Sequence, residues 1–187
     1  MNIAGIDYSL RGPAVCIFTG DYAEKFELKS CKIYFLTHVK KYSQQWGNNI
    51  FGESFSAWDD DSQRYESIAD WALEKVQNCD QIALEGYSFG SKGNRLFQIA
   101  ENTGILKYKI YQKGIPLEVV PPTSVKKFAT DKGNANKQDM YLSFLKETAY
   151  KIKSEMSPGT KEITNPVSDI VDSFYVCKYL YNNLMMK

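Results

Sequence analysis

Three apolar runs fall within the first forty residues, Asn2–Asp7, Ala14–Thr19 and 32–39, with turn signals at Arg11-Gly12-Pro13 and Gly20-Asp21. Each has strand length, and links this short cannot carry a crossover, so the three are expected to be antiparallel neighbours in one sheet. Beyond them the pattern changes. The acidic run Asp59-Asp60-Asp61-Ser62 reads as a helix start, its apolar stripe continues through Ile68, Ala72, Leu73 and Val76, and Gln81–Glu85 is a short apolar strand. A second stripe, Leu96, Ile99, Ala100, Thr103 and Ile110, stops at Gly114 and Pro116 before the strand Leu117–Val120. Helical crossovers join parallel strands, so the expected architecture is α/β, with a mixed five-stranded sheet of three antiparallel then two parallel strands flanked by helices. Residues 40–58 read as an excursion or flexible loop. A short helix is expected at 124–128 after Pro121-Pro122, another over 136–150, and a loop at 154–164. A last helix opens at Asn165-Pro166, a cap followed by proline at the first helical position.

The length of 187 residues suits one domain spanning 1–187. No apolar run approaches membrane-spanning length, and the first seven residues are too short and too acidic at their end for a signal peptide, so a cytoplasmic protein is expected. Cys16, Cys31, Cys79 and Cys177 are scattered without a CxxC pair and read as buried thiols. His38 is the only histidine, which weakens any Ser/His triad, zinc-protease or histidine-metal mechanism. Carboxylates are left to carry the chemistry.

Asp7 closes the first strand and Glu85 the fourth; if those strands are parallel neighbours, both side chains emerge at one end of the sheet, where open α/β sheets bind ligands. Asp169 and Asp172 stand three apart in the opening turns of the last helix and can face one point. Four converging acids repel one another unless divalent cations or raised pKa values relieve them, and an oxygen-only donor set suits Mg²⁺ or Mn²⁺. Each acid also has a plainer reading: an Asx turn for Asp7, a lysine pair for Glu85, and helix-dipole compensation for the two late aspartates. Against the last, Asp169 shares its row with Ser173, Val176 and Leu180 beside the apolar stripe, so it points inward.

Charge is uneven along the chain. Residues 1–85 hold 8 Lys and Arg against 13 Asp and Glu, whereas residues 86–161 hold 13 against 6, a net of +7. A basic stretch interleaved with aromatics suits phosphate contact, although a solvated lysine-rich helix face has the same composition.

Four ordered motifs, Gly5-Ile6-Asp7-Tyr8-Ser9, Leu84-Glu85-Gly86-Tyr87-Ser88-Phe89, Val125-Lys126-Lys127 with Gly133-Asn134-Ala135-Asn136-Lys137, and Ser168-Asp169-Ile170-Val171-Asp172, resemble those of the RuvC-type Holliday junction resolvases. The resemblance implies a ribonuclease H-like fold and a homodimer that resolves four-way DNA junctions by Mg²⁺-dependent phosphodiester hydrolysis, with Mn²⁺ as an alternative. It implies Asp7, Glu85, Asp169 and Asp172 as metal ligands and catalytic acids, Lys126 and Lys137 near the scissile backbone, and residues 87–94 as the loop reaching the junction centre. Lys137 is either a catalytic charge stabiliser or a phosphate-positioning contact. The expected DNA contacts are Tyr87, Phe89, Lys92, Arg95, Lys126, Lys127 and Lys137. Tyr8 replaces the proline usual after the first Asp, and residues 40–61 exceed the bacterial length, which suggests a phage-like member working in its host's cytoplasm. A less selective nuclease of flaps, forks or RNA hybrids has the same motifs. An actin-like ATPase shares only the opening Gly-Ile-Asp and needs a second lobe.

Overall fold

The computed structural model describes residues 1–21, 24–87 and 94–186. Its sheet is built from β1 (Asn2–Asp7), β2 (Ala14–Thr19), β3 (Cys31–Thr37), β4 (Gln45–Trp46), β5 (Ile50–Ser54), β6 (Gln81–Glu85) and β7 (Leu117–Val120). The spatial order is β4-β5-β3-β2-β1-β6-β7. As expected, β1, β2 and β3 form an antiparallel set, while β6 pairs parallel to β1 and β7 parallel to β6.

The sheet has seven strands, not five, because residues 40–58 are not a flexible loop. They hold β4 and β5, and β5 runs parallel to the outer edge of β3, with Ile33 opposite Ile50 and Phe35 opposite Gly52. The alternation in Ile50-Phe51-Gly52 makes this possible: Ile50 and Gly52 are buried, and Gly52 packs so tightly that a Cβ there would lie 1.9 Å from the Tyr42 carbonyl oxygen.

Helices cover both faces. On one lie α1 (Asp61–Val76) and α2 (Asn94–Gln112), where Ile68, Ala72, Leu106 and Ile110 pack against Ala4, Ile6, Ile82 and Leu84. Asp60 caps α1 by accepting from the Gln63 amide at 2.9 Å. On the other lie α3 (Pro122–Thr130), α4 (Lys137–Thr148), α5 (Ile152–Met156) and α6 (Val167–Met185). Ile170, Phe174 and Cys177 of α6 are buried with Ile3, Cys16, Ile33 and Ala83. Two local expectations are corrected here. The start of the stretch at 154–164 belongs to α5, because Ile152 and Met156 bury one apolar edge, and Pro166 is itself the N-cap of α6, following a cis Asn165–Pro166 bond. All four cysteines are buried and free, and no helix of the described residues is long and apolar enough to cross a membrane.

Candidate active site

Strand periodicity positions the first two acids. Ile3 of β1 and Ala83 of β6 belong to the core beneath α6, so Asp7, four residues after Ile3, and Glu85, two after Ala83, point to that same face. The parallel register sets Ile6 beside Leu84, leaving Asp7 and Glu85 as neighbouring strand ends. The opening turns of α6 bring Asp169 and Asp172 to the same place. Asp7, Glu85, Asp169 and Asp172 line one cleft of about 1020 Å³, together with Lys126 and Lys137.

The electrostatics are those of crowded acids in protein surroundings. Burial first, then the carboxylates of Glu85, Asp169 and Asp172, hold Asp7 well above the ordinary aspartate range. Burial and Asp172 push Glu85 up to about 8. Asp169 is pushed up to about 8, chiefly by burial and against the pull of Lys137. Asp172 rises to about 6 by burial, held down by Lys137 and Lys126. The plainer reading of Glu85 fits poorly, since among the described residues no salt bridge pairs it with a lysine within 4.0 Å.

Asp169 is only 6% exposed. Its Oδ1 accepts from the Ser168 hydroxyl at 3.3 Å, while its Oδ2 is buried without a hydrogen-bond partner. A buried, unpartnered carboxylate oxygen is costly, and an oxygen-only donor set of this charge suits a hard divalent cation. The acids are near enough to raise one another's pKa, yet among the described residues no group of three or more His, Cys, Asp or Glu side chains is arranged to hold a metal ion as it stands. The chemistry of the donors fits a divalent ion; a closed coordination shell is not preformed.

Lys137, the first residue of α4, is exposed, and its ammonium donates to Asn165 Oδ1 at 3.2 Å and to the Ser168 hydroxyl at 3.1 Å. Lys126 of α3 is half-buried on the cleft wall, whereas the exposed Lys127 is not among the residues lining it. Arg95 and Tyr87 line the cleft; Tyr87 is 42% exposed, with the Lys107 ammonium 5.3 Å from its ring centre. Phe89 and Lys92 lie outside the described residues. Sequence reasoning missed Asn165 and Ser168, treated only as a cap and a motif position, and also Arg11, His38 and Arg64, which line the same cleft. The one usable signal was the position of Ser168, immediately before an inward-facing acid.

The chain superposes along essentially its whole length on known structures. Thermus thermophilus RuvC matches with a TM-score of 0.62 at 17% identity, covering 100% of this chain and 97% of that one. The fold is that of RuvC. T. thermophilus RuvC in complex with a Holliday junction substrate gives a TM-score of 0.63 at 15% identity, covering 98% of this chain and 96% of that one. Fowlpox virus resolvase, in complex with its substrate Holliday junction DNA, gives 0.53 at 20% identity, with 98% and 99% coverage. The yeast mitochondrial Holliday junction resolvase gives 0.57 at 13% identity, covering 98% of this chain and 79% of that one. No family model and no curated protein matches the sequence. Identities this low carry the RuvC-like, ribonuclease H-like architecture, and the chemistry rests on the side chains in the cleft.

Proposed function

We propose that this protein is a structure-selective DNA endonuclease that resolves four-way junctions by divalent-cation-dependent phosphodiester hydrolysis. The observation that carries the proposal is the meeting of Asp7, Glu85, Asp169 and Asp172 in one cleft flanked by Lys126 and Lys137. Those four carboxylates are the groups that would hold one or two Mg²⁺ or Mn²⁺ ions. Bound there, the cation supplies Lewis-acid stabilisation of charge on the phosphate and makes water a competent nucleophile near neutral pH. Asp7, next to Glu85 and influenced by both late aspartates, is central to the set. Lys137, fixed by Asn165 and Ser168, stabilises negative charge on the phosphate or positions it, and Lys126 holds the adjoining backbone. Tyr87 offers an exposed ring to an unstacked base.

A four-way junction needs two symmetric incisions, and a homodimer supplies two such clefts. The row Phe97, Glu101, Gly104, Tyr108 and Tyr111 follows one face of α2 at helical spacing, with Phe97, Tyr108 and Tyr111 between 60% and 78% exposed, and supports α2 as the face that meets a second copy. Cleavage of matched four-way, three-way, flap and linear substrates in Mg²⁺ and in Mn²⁺ tests the reading. Paired nicks confined to the four-way substrate support it. Equal cutting of flaps or hybrids assigns the less selective nuclease, and no cutting of any substrate overturns both.

A further inference from the structure

Gly12 lies in the turn between β1 and β2, 157 positions before Asp169, and the two touch. A Cβ on Gly12 would stand 2.5 Å from Asp169 Oδ2, 3.4 Å from its Cγ and 3.1 Å from the Asn165 side-chain nitrogen. Oδ2 is the oxygen that is buried without a partner. On the other side, the Ser168 hydroxyl accepts from the Lys137 ammonium and shares its one proton between Asn165 Oδ1 at 3.0 Å and Asp169 Oδ1 at 3.3 Å. The turn itself is anchored, since the Gly12 amide donates to the Ser9 hydroxyl at 3.0 Å. Gly12 is not among the glycines with positive φ, so its backbone does not require glycine. The side chains beside it do.

We infer that Gly12 and Ser168 are positioning residues that orient the Asp169 carboxylate, one tying Oδ1 and the other leaving the room that Oδ2 needs to remain available to a divalent cation. This rests on the metal-dependent reading above and extends it to two residues that act through Asp169. Ser168 restrains the carboxylate through a hydrogen bond, as outer partners of metal ligands do. Gly12 acts by steric absence: an alanine would drive the carboxylate, the movable end of a flexible side chain, away from its place, while the anchored turn stays.

Two measurements test this. The first uses Mn²⁺ alone, titrated calorimetrically into the full chain without DNA. Gly12→Ala is expected to weaken Mn²⁺ binding by on the order of 10- to 100-fold, and Ser168→Ala by less. Parent-like binding by Gly12→Ala overturns the inference. Absence of saturable binding by the parent instead removes the metal-dependent reading itself, and this inference with it. The second is a double-mutant cycle in EDTA, comparing the melting shift caused by Gly12→Ala in the parent and in Asp169→Ala, where the clashing carboxylate is gone. A shift in the parent that largely disappears in Asp169→Ala supports the contact even if Gly12→Ala is poorly folded. Equal shifts in both backgrounds overturn it.

Discussion

Gly5 of β1 lies directly against the backbone of Cys177 in α6, so closely that a Cβ on Gly5 would be 2.0 Å from the Cys177 nitrogen and 2.5 Å from its Cα. This contact sets how α6 lies on the sheet. Moving two residues along β1 from Gly5 to Asp7 covers about 6.6 Å; four to five residues of helix cover about the same distance. Counting back from Cys177 therefore brings Asp172, and one turn further Asp169, over the end of β1, in agreement with the influence both exert on Asp7.

Gly5→Ala consequently forces backbone from backbone, not a flexible side chain from its place. Its cost is expected at or beyond the upper end of the about 1–3 kcal/mol typical of overpacking. Denaturant unfolding reads the loss, and an unchanged midpoint would show that α6 is not seated on Gly5.

Asp7→Asn and Glu85→Gln are each expected to abolish divalent-dependent cleavage while leaving junction binding in EDTA equal or tighter, because a negative charge near phosphate has been removed. Gel-shift and cleavage assays on the same preparation read both. Near-normal cleavage by either variant would remove that residue from the site.

The raised acids make metal-free stability depend on pH. Burial and their neighbouring carboxylates push Glu85 and Asp169 up to about 8, and burial pushes Asp172 up to about 6, in the folded chain, against roughly 4 when unfolded. Between those values the folded state holds protons that the unfolded chain has released. Their contribution is therefore fully present below about pH 4 and is lost as pH rises toward 8. Glu85→Gln should flatten this decline and be the more stable protein at pH 8. Melting curves in EDTA across that range check it; parallel curves for parent and variant would contradict the burial of Glu85.

Lys126 and Lys127 are sequence neighbours with different surroundings, the first half-buried on the cleft wall and the second exposed outside it. Lys126→Ala is expected to weaken junction binding and to reduce the slope of log affinity against log salt by roughly one, whereas Lys127→Ala should do less. Equal slopes for the two variants would mean that general charge, not cleft position, governs binding.

Tyr87 is exposed at the cleft, not packed beneath the strand end. Tyr87→Ala should leave the melting temperature close to the parent's while slowing junction processing by about one to two decades, the equivalent of one lost stacking contact. A stable variant that processes junctions normally would end the role proposed for this ring.

What the sequence determined by itself was local. Short apolar runs bounded by turn signals or by helical stripes identify β1, β2, β6 and β7 to their ends, and a carboxylate closing both β1 and β6 follows from Asp7 and Glu85 alone. The 3.6-residue period likewise turned Asp169 inward before any packing was known. The tertiary structure decided everything that depends on partners distant in the chain. Residues 45–54 become two strands only because β3 offers an unpaired edge, and their own polar composition has no period long enough to announce it. Lys137 reaches Ser168 and Asn165, and Gly12 reaches Asp169, across separations of 28 to 157 positions. Periodicity records which face a side chain occupies; it carries no information about what that face will meet, because the meeting is set by the docking of α6 and α4 on a completed sheet.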